Sequence, residues 1–356
     1  MLGITPKQKL VLEYIEDYYR DNQFSPTLDE IAKKFKKSVP TIHQYVKSLI
    51  DKERLQQNSG ARGIMPITQS ANLKSKRTFR VGIIGYGFVG QAVEYGFSNQ
   101  EVHIYDKYKD FESLSEVIDK SDYIFVCLPT PIREDESGID LSIMDQSVKE
   151  LAKLTKGTDK IIIIKSTVVP GTTAGYAKKY PQSLFCFNPE FLREASFLQD
   201  FVNADRIVIG ATNDQVSRRV SAMYQAVLPL APIFQTDPTS AEMVKYMANC
   251  FLATKVTFAN EMSEICDKLD IKYEEVKKMV VADKRILDGH MDVTTLKGFG
   301  GKCFPKDLLA LRGMAKSKGV DTKILDCVWA KNTKIRKVRD WEEIPFAVSP
   351  AFGNKR

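Results

Sequence analysis

Three glycines set the first chemical expectation. In the run RVGIIGYGFVG, Gly85, Gly87 and Gly90 have the spacing GxGxxG. A strand that enters such a turn and leaves it as a helix uses the first glycine for the tight bend. The second lets backbone approach a pyrophosphate, and the third lets the helix pack on the strand. Tyr86, Phe88 and Val89 fill the rest of the turn, and the helix N-terminus faces the phosphates with its dipole. Asp106 follows 21 residues after Gly85, at the end of VHIYD. A carboxylate there hydrogen-bonds ribose hydroxyls and repels a 2′-phosphate, so NAD is the expected cofactor rather than NADP.

A second pair of residues asks for a partner. Lys245 and Asn249 lie four apart in AEMVKYMANCFLATKVTFANE and share one helix face, with Val256 on the same side. A polar pair on the buried side of an apolar helix needs a polar partner or a ligand. The six cysteines (127, 186, 250, 266, 303 and 327) stand singly, and the three histidines are far from them. Neither a zinc site nor a disulfide framework fits that spacing, so no metal is expected and most of the thiols read as small buried hydrophobes. Cys303, inside GFGGKCFPKD, is set apart by its flanking glycines.

These residues need a scaffold, and the hydrophobic pattern supplies one. Apolar runs of strand length occur at 81–84, 102–105, 123–128, 161–164, 184–187 and 207–209, alternating with helical segments. That alternation predicts a parallel, doubly wound α/β sheet. After about Asp237 the strands stop, and a long helix runs from near Ser240 past Ile265. No apolar run is long enough to span a bilayer, and the first residues lack the pattern of a signal peptide, so a cytoplasmic protein is expected.

Residues 1–67 are helical in pattern and end in a glycine-containing turn; residues 68–79 are polar and basic and read as a linker. The net charge is +7, and its location is uneven. Positions 1–80 carry 15 Lys and Arg against 8 Asp and Glu, while positions 81–356 hold 37 of each sign. An acidic partner is therefore expected for the N-terminal part alone. Thr5-Pro6 opens one helix with Leu10, Ile15 and Tyr18 inward, and Thr27 caps a second. A third starts at Pro40-Thr41 with Ile42, Val46 and Leu49 inward. Residues 55–57 and 64–66 can pair as a small wing. The pattern is a helix-turn-helix.

Five segments, in order, resemble the UDP-glucose/GDP-mannose dehydrogenase family: the GxGxxG turn, VCLPTP (126–131), KSTVVPGT (165–172), NPEFLRE (188–194), and GFGGKCFPKD (298–307) with the 241–261 helix before it. The resemblance runs from about Arg80 to Asp307. It implies a Rossmann domain over 80–236, a helical central domain over 237–345 and a tail over 346–356. It implies oxidation of a sugar primary alcohol to a carboxylate with two NAD and one water. In such a reaction Cys303 traps the aldehyde as a thiohemiacetal that becomes a thioester. Lys245 and Asn249 donate to the oxyanion, Glu190 is the base for hydrolysis, and Thr167 and Asp307 hold water. The thiolate calls for a lowered pKa. Thr130, Thr167, Glu194 and Lys306 match positions near NAD. Phe191, Leu192, Arg193, Glu194 and Gly300 match positions at the substrate, as does Arg285, here two residues further from Cys303 than is common. UDP-glucose is the expected substrate and GDP-mannose the runner-up. The segment 308–356 reads as two helices and a tail, so the resemblance is to a short form without the usual C-terminal nucleotide-binding domain. A homodimer is expected through the long helix.

Residues 3–67, above all SPTLDEIA and GARGI, resemble the winged-helix DNA-binding domain of the LexA repressor. This implies binding of double-stranded DNA, with Thr41, His43, Gln44 and Lys47 toward base edges and Arg62 toward phosphate. A third reading follows from the combination: a DNA-binding regulator whose dehydrogenase body senses NAD or a nucleotide sugar.

Overall fold

The computed structural model describes residues 5–22, 25–52, 54–57, 64–66, 78–344 and 347–349. The N-terminal module consists of α1 (Pro6–Asn22), α2 (Leu28–Phe35) and α3 (Val39–Asp51), followed by strands β1 (Leu55–Gln57) and β2 (Ile64–Pro66). Thr27 accepts from the Glu30 amide while Glu30 reaches back to the Thr27 amide, a closed capping box. Ser38 caps α3, which starts at Val39, just before the Pro40 of the sequence reading. Val11, Ile15, Ile31, Ile42, Val46 and Leu49 form the core, and β1 and β2 pair antiparallel as the expected wing. Two expectations fail in α1: Leu10 is exposed and Tyr18 only half-buried, while Val11, Leu12 and Tyr19 join Ile15 inward.

The second unit is a seven-stranded sheet in the order β4-β3-β5-β6-β7-β8-β9. The strands are β3 (Arg80–Ile84), β4 (Glu101–Tyr105), β5 (Tyr123–Val126), β6 (Ile161–Ile164), β7 (Leu184–Phe187), β8 (Ile207–Ala211) and β9 (Ile233–Thr236). Four consecutive isoleucines make β6, a central strand buried on both faces. Helices α4 (Phe88–Gly96), α8 (Phe197–Val202) and α9 (Asp214–Val227) cover one face. Helices α5 (Leu114–Lys120), α6 (Ser142–Leu154) and α7 (Thr172–Lys179) cover the other. The sheet departs from the all-parallel expectation at β7 and β8, which pair antiparallel. The connection between them carries only the six-residue α8, packed on the α4 face. β9, absent from the sequence reading, is a half-exposed edge strand without a continuous apolar run.

The third unit is built on the 31-residue α10 (Pro238–Lys268), capped by Asp237, which accepts from the Ser240 amide at 3.0 Å. Around it stand α11 (Tyr273–Val280), α12 (Phe304–Ser317), α13 (Lys323–Ile335) and the short α14 (Asp340–Glu343). Trp341 is buried against Trp329. The segment 347–349 likewise returns to the sheet domain: Ile132 donates to the Ala347 carbonyl at 2.8 Å and accepts from Ser349 at 2.7 Å. Among the described residues no helix is long and apolar enough to cross a membrane, and no cluster of His, Cys, Asp and Glu is placed to hold a metal ion.

Candidate active site

The glycine turn has the shape its spacing predicted. Gly85 adopts φ +92°, and a Cβ there would meet the Cys127 carbonyl at 2.6 Å. A Cβ on Gly90 would collide with the Gly85 carbonyl, so α4 can cross β3 this closely only with glycine. Around Gly87 there is open space, which a pyrophosphate needs. Asp106, at the end of β4, accepts from the Tyr86 amide at 2.8 Å and the Tyr108 amide at 2.9 Å. That carboxylate is fixed beside the turn, so the residues present fit an NAD molecule with its ribose on Asp106.

The second constellation lies where α10 passes β7 and β8. Lys245 and Asn249 are both buried on one face of α10. Lys245 Nζ lies 2.8 Å from Glu190 Oε1, and Asn249 donates to Asp307 Oδ2 at 2.6 Å. Glu190 also accepts from the Leu192 amide at 2.7 Å. Cys303 sits at the N-terminal end of α12, so its own helix positions Asp307 one turn later. Lys245, Asn249, Cys303, Gly300 and the segment 188–194 all line one cavity of about 820 Å³.

The charges decide which groups are ready to react. Burial pushes Glu190 up, but the Lys245 ammonium and the Leu192 amide outweigh it and hold the carboxyl below its ordinary value. Burial pulls Lys245 down, yet the Glu190 and Asp307 carboxylates hold it above. Both are therefore ionised at neutral pH. Cys303 contradicts the expectation of a lowered value. Burial first, then the Glu190 charge, push the thiol up to about 11, against the pull of Lys245 and Lys306. A cysteine surrounded by as many carboxylates as ammonium groups gains no net help toward the thiolate.

The turn carrying Cys303 is held by residues the sequence reading missed. Asn332 accepts from the Phe299 amide at 2.7 Å and donates to the Phe299 carbonyl at 3.0 Å. Arg336 donates to the Lys297 carbonyl at 3.0 Å and pairs with Asp340, which accepts from the Gly301 amide. A Cβ on Gly300 would strike the ends of the Asp340 and Arg336 side chains, so an added methyl must displace this clamp. Nothing local in the sequence links these three side chains to the 297–301 turn, which lies on the other side of α12 in the chain.

Other expected site residues fall elsewhere. Thr130 and Thr167 are buried and joined, the Thr130 hydroxyl donating to the Thr167 carbonyl at 3.0 Å, but they do not line the cavity. Lys306 contacts Asp307, so the Asp307 carboxylate holds both Asn249 and Lys306. Glu194 is exposed at the rim, 4.0 Å from Lys302, and Arg193 pairs with Asp200. Arg285 is exposed, paired with Asp283, and outside its own chain's cavity. His290, given no role from sequence, lines the cavity with φ +68°. In the N-terminal module His43, Gln44 and Lys47 are exposed on α3, while Thr41 is half-buried with its hydroxyl 2.8 Å from Ser38. Arg62 lies outside the described residues.

A doubly wound sheet with a phosphate-cradling first turn, followed by helices that bring a thiol to a lysine–carboxylate pair, defines a dinucleotide-binding protein with a built reaction cavity. Known proteins give its family. Residues 101–228 match the model of the UDP-glucose/GDP-mannose dehydrogenase family's NAD-binding domain, and 239–334 that of the central domain. Together these cover more than half of the chain, which belongs over this span to the UDP-glucose/GDP-mannose dehydrogenase family. NAD is the cofactor. Residues 1–63 match the LexA DNA binding domain. The chain is similar to UDP-glucose 6-dehydrogenase of Rickettsia bellii, 36% identical over 226 residues, 61% of this chain and 50% of that protein. It is also similar to UDP-glucose 6-dehydrogenase TuaD of Bacillus subtilis, 36% identical over 223 residues, 61% of this chain and 47% of that one. The chain thus spans about half the length of the curated relatives it matches. Among solved structures, a UDP-glucose dehydrogenase from Pyrobaculum islandicum aligns with TM-score 0.66 and 29% identity, covering 73% of this chain and 69% of that one.

Proposed function

We propose that the chain oxidises a nucleotide sugar, UDP-glucose first among the candidates, from primary alcohol to carboxylate through a covalent intermediate on Cys303. The observation that carries this reading is the convergence of Cys303, the Lys245–Glu190 pair and Asn249, itself held by the buried Asp307, on one cavity. NAD, when bound on the glycine turn and Asp106, supplies the hydride acceptor. The Cys303 sulfur adds to the aldehyde carbon to give a thiohemiacetal, whose oxidation leaves a thioester. In that addition the S–H bond breaks and its proton ends on the former aldehyde oxygen, the thiol being held up at about 11 before substrate arrives. Lys245 and Asn249 donate to the oxygen that gains charge. Water then attacks the thioester carbon while Glu190 takes a water proton; the C–S bond breaks and the sulfur regains its proton. A binding-only sensor has no use for this set of groups, and UDP-glucose relatives at about 36% identity favour that substrate over GDP-mannose. Incubation with NAD and each of the two sugars, followed by NADH absorbance, tests the reading. Silence with both overturns it.

The exposed residues Met247, Phe251, Phe258 and Ile265 fall at intervals of four and seven along α10 and form one apolar stripe. A second copy of the chain covers it in this proposal, giving a homodimer. The basic module over residues 1–67 binds duplex DNA through the exposed face of α3, and the free thiols suit the reducing cytoplasm.

A further inference from the structure

A second buried lysine lines the same cavity as Glu190 and has no part in the chemistry above. Lys165 follows β6, and its side chain is almost wholly buried. Its ammonium donates to Asn188 Oδ1 at 2.8 Å, the Asn188 carbonyl at 3.4 Å and the Pro189 carbonyl at 3.5 Å. It sits 5.6 Å from the Phe201 ring centroid and 6.0 Å from that of Tyr224. Among the described residues, none of its hydrogen-bond partners is a carboxylate. A buried ammonium on neutral oxygens is costly, and burial pulls Lys165 down to about 8. The structure keeps it where three strands meet. The Asn188 amide donates to the Ile164 carbonyl at the end of β6, and its side-chain nitrogen donates to the Val208 carbonyl of β8. Asn188 and Pro189 are the two residues directly before Glu190.

We infer that Lys165 is the positioning residue for Glu190: it gathers the Asn188 and Pro189 carbonyls and so sets where the Glu190 carboxylate stands. The segment is then held by two cations, Lys165 behind the backbone and Lys245 at the carboxylate. When Lys245 turns its hydrogen bonds toward a substrate oxygen, Lys165 keeps the loop in place and keeps a positive charge beside Glu190, which stays a base. The role assigned to Glu190 rests on the dehydrogenase reading; the ordering of the loop does not.

The test compares the full chain with Lys165→Met, which keeps the length and loses the donors. Lys165→Gln serves if the Met variant does not fold. Hydrogen exchange of peptides covering residues 188–194, without substrate, is expected to quicken about tenfold or more while β6 and α10 stay protected. With NAD and UDP-glucose, kcat is expected to fall about 10- to 100-fold at unchanged KM, with the acyl adduct on Cys303 accumulating to a level that intact-mass measurement detects. Unchanged exchange at 188–194, a uniform rise across β6 to β8, or unchanged turnover overturns the inference. If the wild-type chain makes no NADH, the dehydrogenase reading fails and the exchange result still decides the role of Lys165.

Discussion

Lys245 Nζ lies 2.8 Å from Glu190 Oε1, and neither side chain has appreciable contact with solvent. Each is the other's compensation. Removing one partner leaves a bare buried charge, so Lys245→Met or Glu190→Leu alone is expected to destabilise the chain by about 3–5 kcal/mol, and the double variant by clearly less. Urea unfolding of the three variants checks this. The depressed Glu190 contributes stability above the ordinary carboxyl value of 4.5, lost as pH falls through its folded value. The raised Lys245 contributes below 10.5, lost as pH rises through its own.

Cys303 is expected to be a slow thiol in the unliganded chain. With its value near 11, alkylation by iodoacetamide should rise roughly tenfold per pH unit through the neutral and mildly alkaline range. Lys245→Met removes a charge that favours the thiolate and should slow Cys303 further. Peptide mapping separates its rate from that of exposed Cys327. A rate at Cys303 that has already levelled off at neutral pH contradicts this.

Gly300→Ala tests the clamp on the Cys303 turn. The added methyl meets Asp340 and Arg336, and overpacking at such a site costs about 1–3 kcal/mol. Thermal unfolding reads the loss, and turnover should fall with it because the same turn carries Cys303. A Gly300→Ala chain as stable and active as wild type would mean the clamp is loose.

Much of this site could be read from residue spacing. Lys245 and Asn249 share a face because they are four apart on a helix, and both are buried where the reading placed them. The glycine turn and Asp106 follow from strand, turn and helix chemistry that is local in sequence. The clamp of Asn332, Arg336 and Asp340 was not legible, since its partner, the 297–301 turn, is remote from it along the chain. Nor was the role of Lys165, whose surroundings exist only once β6, β7 and β8 are side by side. The raised Cys303 thiol follows from burial and from the Glu190 carboxylate folded against it, neither of which is local in the sequence.

For the N-terminal module, affinity for duplex DNA should fall steeply with salt, and Arg62→Ala, at the position assigned to phosphate, should reduce the slope of log K against log salt by about one. His43→Ala or Gln44→Ala should instead change which sequences bind. Fluorescence anisotropy over a salt series gives both. Binding that is absent, or indifferent to salt, contradicts the DNA reading and leaves a protein-contact module.

The most direct measurement is the stoichiometry of NADH against UDP-glucose, made on the wild-type chain and on Cys303→Ala. Two NADH for each sugar consumed are expected, with the carboxylate as product and loss of that product in Cys303→Ala. Release of one NADH with free aldehyde from wild type, or full turnover by Cys303→Ala, contradicts it.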